Sequence, residues 1–279
     1  MTTTTTTTMA QAAELGAMLA HHPLEVWMVG MLAAALLGLA GLAALRAAQR
    51  RLRPAQARGA LLLAMGACAF AMVLAGSAMA ALAASGRTGG PWGVLDNALA
   101  AGLQAQAPTA VLQLFAALTH MGDTWVLTAL TAVVAAALWL RQHRPLATGW
   151  LVAMAGNGAL TQVLKNLFER VRPEHLHGIA QADGFSFPSG HSSASMAAYS
   201  MLAYLATRLL PRPWHAPAVV VAGVLIVTVG WSRAVLQVHY ASDVLAGWLL
   251  GGTSMLCFVL VMESMSRWRS NQQPGTEQA

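Results

Sequence analysis

The chain has little charge. Asp, Glu, Lys and Arg together make up 9% of its 279 residues, against about 25% in an average soluble domain. A water-soluble protein of this length has too much surface to cover with so few charges, which excludes a soluble globule. Cysteine is scarce as well. Cys68 and Cys257 both lie inside apolar runs and form no close-spaced metal or redox pattern, which excludes a disulfide-stapled scaffold. Acidic residues number 10 against 16 basic ones, giving a formal net charge of +6. In a soluble protein that balance would suit nucleic acid, but the placement of the charges points to a membrane, and no nucleic-acid partner is expected.

What is abundant is apolar surface. Hydrophobic residues reach 57%, above the roughly 45–50% of soluble domains. Apolar runs of about spanning length fall at 24–45, 59–84, 125–140, 146–164, 193–210, 216–231 and 244–262. In hydrocarbon a backbone satisfies its own hydrogen bonds, and the alternating ten-residue pattern of a barrel is missing, so these runs are expected to be helices. The expected fold class is all-α, a polytopic transmembrane helical bundle of seven spans. Its layout is a disordered or interfacial N-terminus at 1–23, a transmembrane hairpin at 24–84, a main body at 85–269 and a disordered tail at 270–279. The threonine run at 1–8 is low-complexity and is expected to be disordered. Leu95 and Leu99, and then Val111, Leu114, Phe115 and Leu118 beyond Pro108, repeat at helical spacing and predict two short amphipathic helices at the interface.

Arginines set the orientation. Arg46, Arg50, Arg51, Arg53, Arg58, Arg141, Arg144, Arg208, Arg212, Arg267 and Arg269 account for eleven of the sixteen basic residues and fall on one side of the predicted spans. The positive-inside rule makes that side cytoplasmic, with the N-terminus outside. Trp27, Trp125, Trp139, Trp150, Trp214, Trp231 and Trp268 fall near predicted span ends, as an aromatic belt would. The remaining cations, Arg87, Lys165, Arg170, Arg172 and Arg233, lie on the outer side against the bias, and three stretches there carry chemistry.

The first stretch closes the fourth span, where Lys165 and Arg172 are seven apart, on nearly one face if the helix continues to Pro173. Two interfacial cations snorkelling to headgroups would look the same. The second is Phe187-Pro188-Ser189-Gly190-His191 ahead of an apolar helical run. Glycine lets a backbone approach a ligand, helix-start N–H groups bind anions, and histidine moves protons near neutral pH. The third runs from Ser232-Arg233 through His239 to Asp243. A carboxylate four residues after a histidine can fix its tautomer and leave the other ring nitrogen as nucleophile or base. Arg233 and His239 are six apart, so a helix break is expected near Leu236. All three stretches fall on one side of the membrane. Three cations, a helix-start nest, two histidines and a carboxylate converging there make a metal-free site for a phosphate whose charge grows in the transition state. Which histidine attacks stays open on these grounds. His175 and His177 are read as solvated loop residues, with rimming of the pocket as the alternative, and Arg170 and Glu169 as pairing with solvent or each other, with contact to a second phosphate as the alternative for Arg170.

These stretches resemble the signature of the type 2 phosphatidic acid phosphatase superfamily, which also holds the vanadium haloperoxidases. The pattern of Lys165, Arg172 and Pro173, then Pro188, Ser189, Gly190 and His191, then Ser232, Arg233, His239 and Asp243 is met in order and register. The resemblance implies a six-helix core, to which this chain adds apolar sequence before residue 84. It implies that His239 forms a phosphohistidine, that Asp243 orients it, and that His191 protonates the leaving oxygen and then activates water. Lys165, Arg172, Arg233, the Ser189 side chain and the Gly190 backbone would hold the phosphoryl oxygens, with no metal and no cofactor. The implied substrate is a membrane lipid phosphate or diphosphate, undecaprenyl diphosphate first, ahead of phosphatidylglycerophosphate, phosphatidate and lipid A. The implied location is a bacterial cytoplasmic membrane with the site facing outward. Transfer of the phosphoryl group to another lipid is an alternative outcome of the same chemistry.

Overall fold

The computed structural model describes residues 2–51, 57–87, 89–174, 179–180 and 182–272. Ten α-helices follow in order among the described residues: α1 (Thr2–His21), α2 (Pro23–Arg51), α3 (Ala57–Arg87), α4 (Pro91–Gln106), α5 (Thr109–Leu118), α6 (Thr124–Leu140), α7 (Arg144–Phe168), α8 (Gly190–Leu209), α9 (His215–Val235) and α10 (Ala241–Gln272). No strand occurs among them. Local sequence accounts for many of the boundaries. Pro91 and Pro145 sit in the first turns of α4 and α7, where a missing N–H costs nothing. Ser189 caps α8 by accepting from the Ser192 N–H. Pro108 separates α4 from α5.

The protein is an all-α transmembrane bundle. Each of the seven predicted runs is helical, and five stretches are long and apolar enough to cross a bilayer: Pro23–Ala44, Met65–Arg87, Thr109–Leu140, Arg212–Val235 and Ala241–Met265. The other two predicted spans, α7 and α8, are diluted by polar residues. They include Asn157, Thr161 and Gln162 on α7 and a run of serines on α8, for reasons the site explains.

Helix α8 lies at the centre, against α6, α7, α9 and α10. Its contact with α10 is backbone-close: a Cβ at Gly247 would stand 2.6 Å from the Ser189 carbonyl oxygen, and one at Gly251 2.3 Å from that of Ser193. Small residues permit such approach where lipid supplies no hydrophobic drive between helices. Asn157 of α7 pins the same junction, its Oδ1 accepting from Ser193 of α8 and Ser254 of α10, each at 3.0 Å. Helix α2 packs on α9, α3 on α10, and α1 along α4.

Four expectations are corrected. Residues 2–8 are helical rather than disordered, continuous with an α1 held against α4: Ala20 is buried, and a Cβ at Gly16 would meet the Leu95 carbonyl oxygen at 2.7 Å. Residues 270–272 are helical, since α10 runs through Gln272; 273–279 lie outside the described residues. The two short helices are present as α4 and α5, but α5 buries Leu112 and Phe115 while Leu114 is exposed. Trp150 belongs to no interfacial belt: it is fully buried, donating its indole N–H to the Thr131 carbonyl of α6.

Candidate active site

The end of α7, the start of α8, the end of α9 and the start of α10 meet at one end of the bundle. The arginines of the α6–α7 and α8–α9 connections lie at the other, where Arg208 pairs with Glu263 and Arg46 contacts His215. At the first end lies a cavity of about 620 Å³ whose lining includes Lys165, Arg172, Gly190, His191, Arg233 and His239. Six of the eight expected site residues therefore face one space.

Each arrives there for a local reason. Helix α7 ends at Phe168, where Glu169 turns left-handed at φ 47°, so Lys165 and Arg172 do not share a helix face as the spacing suggested. Arg172 instead stands in the irregular segment after α7, its guanidinium donating to the carbonyls of Asp183, Gly184, Phe185 and Val238. The Lys165 ammonium shares the Phe185 carbonyl. Helix α9 ends at Val235, and Gln237 takes φ 55°, which is the break expected near Leu236. That turn carries His239 back over the cavity. Arg233 is buried and donates to Thr119 at 2.8 Å, while its Nε has no partner among the described residues. An unpaired buried donor is costly unless a ligand completes it.

His239 sits between two groups of opposite charge. Its Nδ1 lies 3.4 Å from Asp243 Oδ2, and its Nε2 lies 3.1 Å from an Arg172 Nη1. Guanidinium is a donor only, so Nε2 is the accepting nitrogen and the proton sits on Nδ1, toward the carboxylate. Burial, then Arg172, Arg233, Lys165 and His191, hold the imidazole well below its usual range, so it is neutral at pH 7 with its lone pair beside three cations.

His191 lines the same cavity from the first turn of α8. Its Nε2 pairs with Asp123 Oδ1 at 3.0 Å. Asp123 also takes bonds from His120 at 2.8 Å and the Trp125 indole at 3.2 Å. Asp123 was not expected; its only signal was a carboxylate at the mouth of an apolar span, where ionisable groups are costly. Ser189 departs from its expected placement. It is fully buried, its Oγ bonding the Ser192 hydroxyl at 2.9 Å as the cap of α8, so at this site it shapes the helix start. Gly190 does line the cavity, where a Cβ would meet nothing closer than 3.8 Å.

Arg170 is the largest correction. It pairs with neither solvent nor Glu169: its Nη1 donates to Asp243 Oδ1 at 2.8 Å and its Nη2 to Asp96 Oδ2 at 2.9 Å. Both carboxylates are fully buried there, and a buried guanidinium is retained only with such partners. His175 and His177 lie outside the described residues. Among the described residues no three His, Cys, Asp or Glu side chains are grouped to hold a metal ion.

Residues 146–267 match the PAP2 superfamily. The phosphatidylglycerophosphatase B of Bacillus subtilis (strain 168) is 35% identical over 157 residues, 54% of this chain and 75% of that protein. The decaprenylphosphoryl-5-phosphoribose phosphatase of Mycobacterium tuberculosis is 34% identical over 142 residues, 49% of this chain and 72% of that one. Among solved structures, a transmembrane PAP2 type phosphatidylglycerolphosphate phosphatase from Bacillus subtilis superposes with a TM-score of 0.59 at 26% identity, covering 76% of this chain and 98% of its own. With the three sequence stretches folded onto one cavity, and relatives of this similarity on both counts, the chain belongs to the PAP2 superfamily and is an integral-membrane phosphatase of phosphoric esters.

Proposed function

We propose that this enzyme hydrolyses the terminal phosphate of a membrane lipid phosphate at the outer leaflet, through a phosphohistidine on His239. The observation that carries the reading is the Nε2 lone pair of a buried, neutral His239 directed at the Lys165, Arg172 and Arg233 side of the cavity. Attack by Nε2 on phosphorus places positive charge on the imidazole, which the Asp243 carboxylate stabilises through Nδ1. The three cations and the N-terminus of α8 at Gly190 take the growing charge on the phosphoryl oxygens. His191, held through Nε2 by Asp123, gives a proton to the leaving oxygen from its imidazolium form, and the neutral ring that remains takes one from the water that opens the intermediate.

The cavity also suggests the substrate. It continues from the cations along α6 and α7, past Leu127, Thr128, Leu151 and Met154, a mixed wall suited to a headgroup and the start of a lipid chain. Its Lys and Arg lining among the described residues is Lys165, Arg172 and Arg233, all around the one phosphoryl position. Phosphatidylglycerophosphate, the substrate in a relative's name, is the first to assay. Undecaprenyl diphosphate, expected from the resemblance, is the second. The arginine-rich end of the bundle is then cytoplasmic, with the site on the outer side of a bacterial cytoplasmic membrane.

The experiment is phosphate release in detergent from both lipids, with a chelator present and His239→Ala as the comparison. Release from the unaltered enzyme under chelator, and none from His239→Ala, is the expected result. Full activity in the variant, or chelator loss restored by a divalent cation, overturns the mechanism.

A further inference from the structure

The carboxylate behind His239 is shared. Asp243 offers Oδ2 to the imidazole and Oδ1 to Arg170. A cation at 2.8 Å from a buried carboxylate holds it in place, but it also cancels the charge that carboxylate would present to a histidine becoming positive. Two charges alone would leave a neutral pair where the reaction calls for a negative one.

The structure supplies a third. Asp96, on α4 and 74 residues from Arg170 in sequence, meets the other side of the same guanidinium. Every hydrogen bond found at its carboxylate comes from a donor: Arg170 Nη2, the Ser242 N–H at 3.0 Å, and the Ser242 hydroxyl, which itself accepts from Arg170 Nη1 at 2.7 Å. That pattern is the one an ionised carboxylate takes. The Tyr240 ring covers the guanidinium with its centroid at 4.3 Å, and Gly86 of α3 closes the remaining side, where a Cβ would stand 2.8 Å from Nη2. None of these groups lines the cavity, so none touches substrate.

We propose that Asp96 and Arg170 are positioning residues for phosphoryl transfer: Arg170 fixes the Asp243 carboxylate, and Asp96 cancels the charge of Arg170 so that the cluster keeps one net negative charge to offer His239. The proposal rests on His239 being the nucleophile. The other groups facing His239 are Lys165 from α7, His191 from α8, Arg233 from α9 and Arg172 from the segment after α7. Of these, none is a carboxylate. Asp183 lines the cavity beside Arg172 and Asp123 pairs with His191, but among the described residues the carboxylate bonded to the imidazole itself is Asp243, and the charge it offers is set by what stands behind it.

A charge-balance cycle on the full-length enzyme tests this. Asp96→Asn leaves Arg170 uncompensated; kcat falls about 10- to 100-fold with KM nearly constant, the pattern of an interaction made only in the transition state. The extra positive charge also moves the acid limb of kcat/KM to lower pH. Arg170→Gln leaves two buried carboxylates side by side, lowers kcat and moves the limb upward. The double variant restores one net negative charge and regains at least about 10-fold over the worse single variant, a coupling that packing losses alone do not produce. A double variant no better than the worse single, or acid limbs that stay put, overturns the proposal. Should a charge variant fail to fold, Gly86→Ala presses on the pinned guanidinium without altering any charge. A reduced kcat with unchanged KM supports the proposal, and unchanged kcat sinks it. His239→Ala in the same assay separates the two readings. If it is active, the nucleophile is wrong; if it is inactive while the double variant fails to recover, only the role of Asp96 and Arg170 falls.

Discussion

Helices α2 and α9 pack against each other and have nearly the same mean hydropathy over their apolar stretches, 2.1 and 2.0, yet 6% of the first is buried in the protein and 61% of the second. Hydropathy measures departure from water and is blind to whether lipid or protein receives the side chain. The difference lies in a few polar positions. Helix α9 carries Thr228, Ser232 and Arg233, each buried and bonded, and a membrane helix keeps such groups only where other helices cover them. Helix α2 turns Leu32, Leu36 and Leu37 outward, the last 73% exposed, and meets α9 mainly through small residues: Gly30 and Gly38 approach Val227 and Val219, and Ala34 approaches Gly223. One helix is site wall; the other is lipid-facing cover.

Substitutions should divide along that line. Arg233→Ala removes a buried donor whose Nε has no other partner, and kcat for phosphate release is expected to drop about 10²- to 10³-fold, as for loss of one preorganised charge donor. Leu37→Ala on α2 is expected to leave the rate within about two-fold, since it touches lipid and no reacting group. A large rate loss at Leu37 would mean that α2 does more than cover the bundle.

The same contrast explains what the sequence could convey. Spans were readable because apolar length is a one-dimensional property, and the site because its ligands sit in three short stretches whose order survives folding. Partners from outside those stretches were not. Asp123 meets His191 across 68 residues, and Asp96 meets Arg170 across 74; no spacing rule connects them, so local sequence points Arg170 to solvent, Glu169 or a second phosphate and not to Asp96. Scarcity was the available clue: with 10 acidic residues in the chain, a carboxylate at Asp96 amid Val94, Leu95 and Leu99 needed a cation. The seven-residue gap between Lys165 and Arg172 misled in the opposite direction. It fits a helix, but Glu169 ends the helix first, and carbonyls of the following loop bring Arg172 back.

Moderate effects should appear as shifts in pH dependence. The imidazole of His239 is depressed first by burial and then by Arg172, Arg233 and Lys165. A base with a depressed pKa stays neutral as pH falls, so the acid limb of kcat/KM is expected below the ordinary histidine value of about 6.5. Lys165→Gln removes one of the depressing charges, raises that pKa and moves the limb upward, so the variant loses proportionately more activity at pH 5 than at pH 7. A limb that moves downward, or one that in the unaltered enzyme already lies above the ordinary value, would assign the acid limb to another group.

The smallest effect on catalysis is expected where the two helices touch. A Cβ at Gly38 of α2 would stand 2.6 Å from Val219 Cγ1 of α9, so Gly38→Leu pushes the helices apart and should lower detergent stability by about 1–3 kcal/mol, the usual cost of overpacking. Val219 lies near the start of α9 and Arg233 near its end, about four turns away. The strain is therefore applied to the cover helix at the end remote from the cavity, and kcat should hold within about two-fold while the melting temperature falls. If the rate collapses with stability only slightly changed, α9 is transmitting displacement along its length, and α2 is a brace for Arg233 and Thr119 as well as a boundary with lipid.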